Sequence, residues 1–279
     1  MKNCGAVCRR IVHFSKAFEM YSETAASSGY RFATFEIPAT GESHQHLIWG
    51  HGWGQSSASF VSLAETMKPF ASSTLIDFPG FGKSALPPAS WGTAEYADAV
   101  AQWLRGQSRT QSVWVGHSFG GRVGIQLAAR HPKLLSGMVL IASAGLPRQR
   151  TLFQQIRFSL RKMLFKTARS FLREGPQLER LRQRMGSADY RSAGALRPVF
   201  NRVVSEDLTD VARQVQCPTL LIYGQEDTET PPAMGQRLKG LIPGAELTTL
   251  DGFGHLNILN EGRHQVALQI RKFLPTLSQ

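Results

Sequence analysis

Three residues far apart in the chain are of the types that together activate a hydroxyl: Ser118, Asp227 and His255. Ser118 lies in Gly116-His117-Ser118-Phe119-Gly120-Gly121, after the apolar run Val113-Trp114-Val115 and before a helix-forming stretch with Val123, Leu127, Ala128 and Ala129. A serine on a sharp strand-to-helix turn projects its hydroxyl above the sheet, and the glycines at Gly116 and Gly120 remove side chains that would collide there. Because a serine hydroxyl is a poor nucleophile on its own, a base and an acid are required elsewhere. His255, between Gly254 and Leu256 in a late strand-end loop, is the expected base, whereas His131 reads as a helix terminus and His264 as a surface position. The acid loop Gln225-Glu226-Asp227-Thr228-Glu229 offers three carboxylates. Asp227 is favoured by its distance from the preceding strand, and Glu226 and Glu229 read as solvated loop charges. An aspartate in that role accepts a hydrogen bond from one imidazole nitrogen and leaves the other free to take the serine proton. The amide of Phe119 and that of Trp53, in Gly50-His51-Gly52-Trp53-Gly54, are the expected oxyanion donors. His51, Gly52, His117 and Phe153 are candidate pocket residues.

The elements that must position these groups alternate. His46 to Trp49, Thr74 to Ile76, Gln111 to Val115, Leu134 to Ala142, Thr219 to Gly224 and Ala245 to Leu250 read as short buried strands, and Tyr30 to Ile37 as an edge strand. Between them, Ser59 to Met67, Gly92 to Arg105, Ala233 to Leu241 and Gly262 to Phe273 read as helices. Strand and helix in turn with tight loops predict an α/β fold with a doubly wound, mostly parallel sheet, and Ser118, Asp227 and His255 then all follow strand ends. The alternation stops at Gly145-Leu146-Pro147 and resumes at Cys217-Pro218. The expected organisation is therefore a core over 30–145 and 206–279, with an insertion over 146–205. Residues 1–28 are weakly patterned.

The pieces His51-Gly52-Trp53-Gly54, Asp77-Phe78-Pro79-Gly80-Phe81-Gly82-Lys83-Ser84, Gly116-His117-Ser118-Phe119-Gly120-Gly121, Gly224-Gln225-Glu226-Asp227 and Gly254-His255 together resemble the α/β-hydrolase fold superfamily over 35–274. The resemblance implies the same triad and the same two oxyanion amides, and it implies that the insertion is an α-helical cap. It does not identify a substrate. Relatives with an aspartate nucleophile are disfavoured by Ser118 at the elbow.

The insertion carries fourteen Arg and Lys, from Arg148 to Arg202, against Glu174, Glu179 and Asp189, a balance of +11 out of a net +12 for the 279 residues. Phe153, Ile156, Leu160, Leu164, Ala168 and Phe171 recur at helical spacing, so an amphipathic helix is expected to lay this stripe on the body with its basic face in solvent. The sharper reading of the same charge is contact with an anionic membrane surface or steering of an acidic substrate. Nucleic-acid binding is disfavoured, since no aromatic platform accompanies the cations. Nucleotide binding is rejected as well: Gly80-Phe81-Gly82-Lys83-Ser84 lacks the spacing that lets amides encircle a phosphate. The three cysteines, Cys4, Cys8 and Cys217, suggest neither a disulfide framework nor a metal site, and no cofactor is expected. No apolar run is long enough to span a bilayer, no secretory signal is recognisable, and the default location is cytoplasmic.

The expected activity is that of a serine hydrolase cleaving a small to medium, fairly apolar carboxylic ester of a small-molecule substrate through an acyl-enzyme on Ser118. Two alternatives stay open: hydrolysis of a carbon-carbon bond in a diketo acid, and a non-catalytic ligand-binding relative of the fold.

Overall fold

A computed structural model of the chain describes residues 30–41, 45–107, 111–148 and 187–277, the backbone of 21–25, and residues 156, 157, 159, 160, 163, 164, 167, 175–177 and 180 within the insertion. An eight-stranded sheet runs through the described residues in the order β1-β2-β4-β3-β5-β6-β7-β8. Its strands are β1 (Tyr21–Ala25), β2 (Arg31–Ile37), β3 (His46–Gly50), β4 (Ser72–Asp77), β5 (Ser112–His117), β6 (Leu135–Ile141), β7 (Thr219–Gly224) and β8 (Glu246–Leu250). From β3 to β8 every pairing is parallel, whereas β1 and β2 pair antiparallel at one side. Tyr30 to Ile37 is therefore not the edge: β1 lies outside it, with Tyr21 opposite Phe35.

Parallel strands covered on both faces read as unbroken apolar runs, and β5 and β7 are buried at every position. One face is covered by α1 (Val61–Met67) and the late helix α9 (Arg263–Phe273), through Leu63, Met67, Val266 and Ile270. Against the other pack α2 (Thr93–Gly106), α3 (Phe119–Arg130) and α7 (Pro232–Leu241), around Trp103, Trp114, Val123 and Leu238. The remaining short helices are α4 (Ala188–Ser192), α5 (Arg197–Ser205), α6 (Thr209–Ala212) and α8 (Asn257–Asn260). No helix of the described residues is long and apolar enough to cross a membrane.

The chain leaves β3 to one side for β4 and then crosses back to the other side for β5. Loops after β3 and β5 thus diverge at the strand carboxyl ends, which is where an open α/β sheet forms a crevice. The end of the insertion is anchored beside this crevice. Glu206, just past α5, accepts hydrogen bonds from the backbone N–H of Thr93 at 3.0 Å and from the Thr93 hydroxyl, capping the amino end of α2 across 113 residues. The backbone carbonyl of Glu206 accepts from buried Arg122 at 3.3 Å. Gly92 makes room for this, because a Cβ there would lie 2.1 Å from Glu206 Oε1. A carboxylate at a helix amino terminus satisfies orphan amides and complements the macrodipole. Glu206→Ala is expected to destabilise the fold by about 1–2 kcal/mol, read as a lower urea midpoint. An unchanged midpoint would remove this cap from the list of stabilising contacts.

Candidate active site

Ser118 stands between β5 and α3 with φ 49°, one of the non-glycine residues with positive φ in the described chain. Such a conformation costs on the order of 1–3 kcal/mol and persists only where the surroundings impose it. Here the surroundings are backbone. A Cβ on Gly116 would sit 2.4 Å from the Gly120 carbonyl oxygen, and one on Gly120 would sit 1.9 Å from that of Gly50. The third glycine, Gly121, lies against Ser143, whose Oγ would be 2.1 Å from an added Cβ. The elbow is thereby pressed between the ends of β3 and β6, with the Ser118 amide donating to the Ile141 carbonyl at 3.1 Å.

The acid and base follow β7 and β8, two and three strands beyond β5 in the sheet. The Gly224 to Asp227 turn and the loop before His255 are latched together: the amides of Gln225 and Glu226 donate to the carbonyls of Leu250 and Phe253, both at 2.9 Å. Gly224 permits the approach, since a Cβ would meet the Phe253 carbonyl oxygen at 2.2 Å. Across this junction His255 Nδ1–H donates to Asp227 Oδ2 at 2.8 Å. Asp227 Oδ1 accepts from the amides of Glu229 and Thr230, each at 2.8 Å. Burial pushes the Asp227 carboxyl up, but the hydrogen bonds and charge of His255, with the Thr230 donors, outweigh it and hold the group below the usual carboxylate range. Both competing carboxylates are exposed, as solvated loop charges would be, and Glu229 Oε2 also lies 3.6 Å from His255 Nε2.

Thr230 escaped the sequence reading. Its hydroxyl is 2.8 Å from Asp227 Oδ2 and 2.9 Å from the Ala142 carbonyl, either of which can take its proton. The only sequence signal is the three-residue spacing from Asp227, which suits a side chain closing its own turn.

The described residues form no hydrogen bond between Ser118 Oγ and His255. Such contacts are often loose without substrate. The backbone N–H groups of Phe119 and Trp53 likewise meet no acceptor among the described residues. Their rings touch at 5.6 Å between centroids, so the two loops that carry these amides are neighbours.

The pocket candidates fare differently. His51 and His117 are buried and each bonds backbone groups. His51 Nδ1–H donates to the Gly52 carbonyl at 2.8 Å, and its Nε2 accepts from the Phe78 amide at 3.0 Å. That pattern requires a neutral ring, and burial lowers the His51 pKa to about 4 against the opposing pull of the Gly52 carbonyl and the Asp77 charge. His117 Nε2–H donates to the His255 carbonyl at 2.9 Å, and the two rings lie 4.8 Å apart. Burial, reinforced by the nearby His255, lowers its pKa to about 3. Gly52 is buried too, with its N–H on Gln55 Oε1 at 2.9 Å. Phe153 lies outside the described residues. What surrounds the elbow instead is a ring of aromatics: Trp53 touches Phe81 and, from α5, Phe200, each at 5.0 Å between centroids, and Phe81 touches Phe119 at 6.0 Å.

The Asp77 to Ser84 loop turns its polar groups inward. Asp77 accepts from the amides of Ser57 at 2.6 Å and Lys83 at 2.8 Å, and Gly82, with φ 54°, leaves the space this carboxylate fills. No cluster of three or more His, Cys, Asp or Glu able to hold a metal occurs among the described residues.

A model of the alpha/beta hydrolase family matches residues 47–268. Among curated relatives, the pimeloyl-[acyl-carrier protein] methyl ester esterase of Chromobacterium violaceum is 30% identical over 234 residues, 77% of this chain and 88% of that protein. The enzyme of the same name from Xylella fastidiosa is 25% identical over 249 residues, 83% of this chain and 95% of its own length. The crystal structure of a membrane phospholipase A, described as a bacterial virulence factor, superposes with a TM-score of 0.73 at 21% identity, covering 95% of this chain and 90% of that one. At that identity the likeness is one of fold.

Proposed function

The chain belongs to the alpha/beta hydrolase family, and from that premise we propose that it hydrolyses a small to medium, fairly apolar carboxylic ester through Ser118, His255 and Asp227. The observation that carries this reading is the strained Ser118 at the β5–α3 junction, next to His117, whose ring bonds the carbonyl of His255, itself 2.8 Å from Asp227. The ester as the bond attacked is supported by the two curated relatives, both methyl ester esterases.

In the first step His255 Nε2 takes the hydroxyl proton as Ser118 Oγ adds to the ester carbonyl. The tetrahedral oxyanion receives the amides of Phe119 and Trp53, the former at the positive end of α3. The imidazolium, steadied by Asp227 at Nδ1, returns its proton to the departing alcohol, leaving an acyl-enzyme. Water then repeats the sequence, with Nε2 as base, and releases the acid. Asp227 stays ionised throughout, which suits the donors that hold its carboxyl low.

An apolar acyl group is supported by Trp53, Phe81, Phe119 and Phe200 around the elbow. Each methylene buried there is worth roughly 0.8 kcal/mol, so kcat/KM should rise about fourfold per methylene until the wall is filled. Steady-state rates on p-nitrophenyl esters from acetate through octanoate measure this. A profile that falls from acetate onward removes the acyl-binding role of the aromatics. Turnover of a diketo acid with no ester hydrolysed at all overturns the ester reading.

A further inference from the structure

The expected burial of the apolar stripe of the insertion on the body is not what the structure has. Ile156, Leu160, Met163 and Leu164 are helical, and their exposures are 52%, 50%, 57% and 62%. At 100° per residue they occupy an arc of about 100°, a single face of a helix turned outward. Phe153, Ala168 and Phe171 of the same stripe lie outside the described residues. The sequence around this face is basic without relief: Arg148, Arg150, Arg157, Arg161, Lys162, Lys166, Arg169 and Arg173 precede the first acid, Glu174. Arg157, beside Leu164 on the helical wheel, is itself exposed.

From these observations we infer that this face of the insertion docks on an anionic lipid bilayer. Large aliphatic side chains on one face with cations beside them are the profile of a helix lying in the plane of a membrane interface. Phosphate head groups complement the arginines and lysines, and the acyl boundary takes Ile156, Leu160, Met163 and Leu164. A second copy of the chain is disfavoured as the occupant, because two segments of balance +11 repel each other. An acidic protein matches the charge but leaves the aliphatic row without a stated counterpart. The far end of the insertion is tied to the crevice through Phe200 on Trp53 and Glu206 on α2, so docking would hold the crevice near the bilayer. The consequence for substrate supply rests on the ester reading; the docking itself does not.

The test is co-sedimentation of the full chain with vesicles of phosphatidylcholine alone and with about one third phosphatidylglycerol, a composition whose surface attracts basic segments. Binding to the anionic vesicles is expected to be on the order of tenfold or more tighter, and to weaken as salt is raised. The paired substitution Leu160→Glu and Leu164→Glu is expected to reduce it at least about tenfold. Both positions are exposed, so hydrolysis of a water-soluble short ester should be unchanged and reports that the variant is folded. Equal partition onto both vesicle types, no binding, or a variant that binds like the parent overturns the inference. So does a self-association or a complex with an acidic protein that the same pair abolishes while vesicle binding persists. Absent ester turnover with intact vesicle binding would count against the proposed activity and not against docking.

Discussion

Ser118→Ala is expected to lower kcat on a short ester by on the order of 10⁴- to 10⁶-fold, with the fold intact. Its hydroxyl forms no hydrogen bond within the described protein, and alanine meets the same backbone constraint at φ 49° that serine does, so melting should change little. Asp227→Asn is expected to approach the same loss, roughly 10⁴-fold, for a reason visible in its contacts. The amides of Glu229 and Thr230 keep Oδ1 as their acceptor, which turns the new side-chain NH2 toward His255 Nδ1. The imidazole must then carry its proton on Nε2, where it can no longer take one from Ser118. Retention of more than a few per cent of the parent rate by Ser118→Ala, measured with the variant shown to be folded, would place the chemistry elsewhere.

The second large effect is on stability in acid. His51 and His117 are neutral in the fold, with burial as the leading cause and pKa values of about 4 and about 3, against about 6.5 in an unfolded chain. Below pH 6.5 the unfolded chain takes up a proton at each site that the folded chain refuses, so stability falls as pH falls. Each histidine contributes a slope of about 1.4 kcal/mol per pH unit, or about 2.7 for the pair, until the folded groups begin to titrate near pH 4. Asp227 adds to the loss lower still: its stabilisation is present above its unfolded pKa and disappears as pH falls through its depressed folded value. Urea midpoints between pH 8 and pH 4.5 measure the slope. His117→Gln is expected to remove about half of it, whatever it does to stability at neutral pH; an undiminished slope would mean that His117 is not held neutral by the fold.

Much of the body was legible in the sequence. Strand Thr219–Gly224 has the bounds its apolar run suggested, because a parallel strand buried on both faces leaves no polar position to blur them. The Ser118 turn was equally plain, since its glycines answer to backbone contacts that no other residue satisfies. What stayed hidden depends on neighbours instead of local pattern. Tyr21-Ser22-Glu23-Thr24-Ala25 carries little apolar signal and becomes a strand through pairing with β2. The loop positions of His51 and His117 suggested packing and hydrogen bonding, but which backbone groups they hold, the Phe78 amide and the His255 carbonyl, depends on strands distant in the chain. Phe200 reaches Trp53 only because α5, at the end of the insertion, packs against the loop after β3. The periodicity of Ile156, Leu160 and Leu164 identified a helix face correctly, yet periodicity is the same whether the face meets protein, lipid or another chain.

Ser118 as the attacking atom is tested most directly by covalent capture. The folded protein is treated with a fluorophosphonate, and the modified peptide is identified by mass spectrometry. A single adduct on Ser118 is predicted, absent from Ser118→Ala and formed far more slowly by His255→Ala. An adduct on a different residue, equal labelling of Ser118→Ala, or an unlabelled parent protein would contradict it.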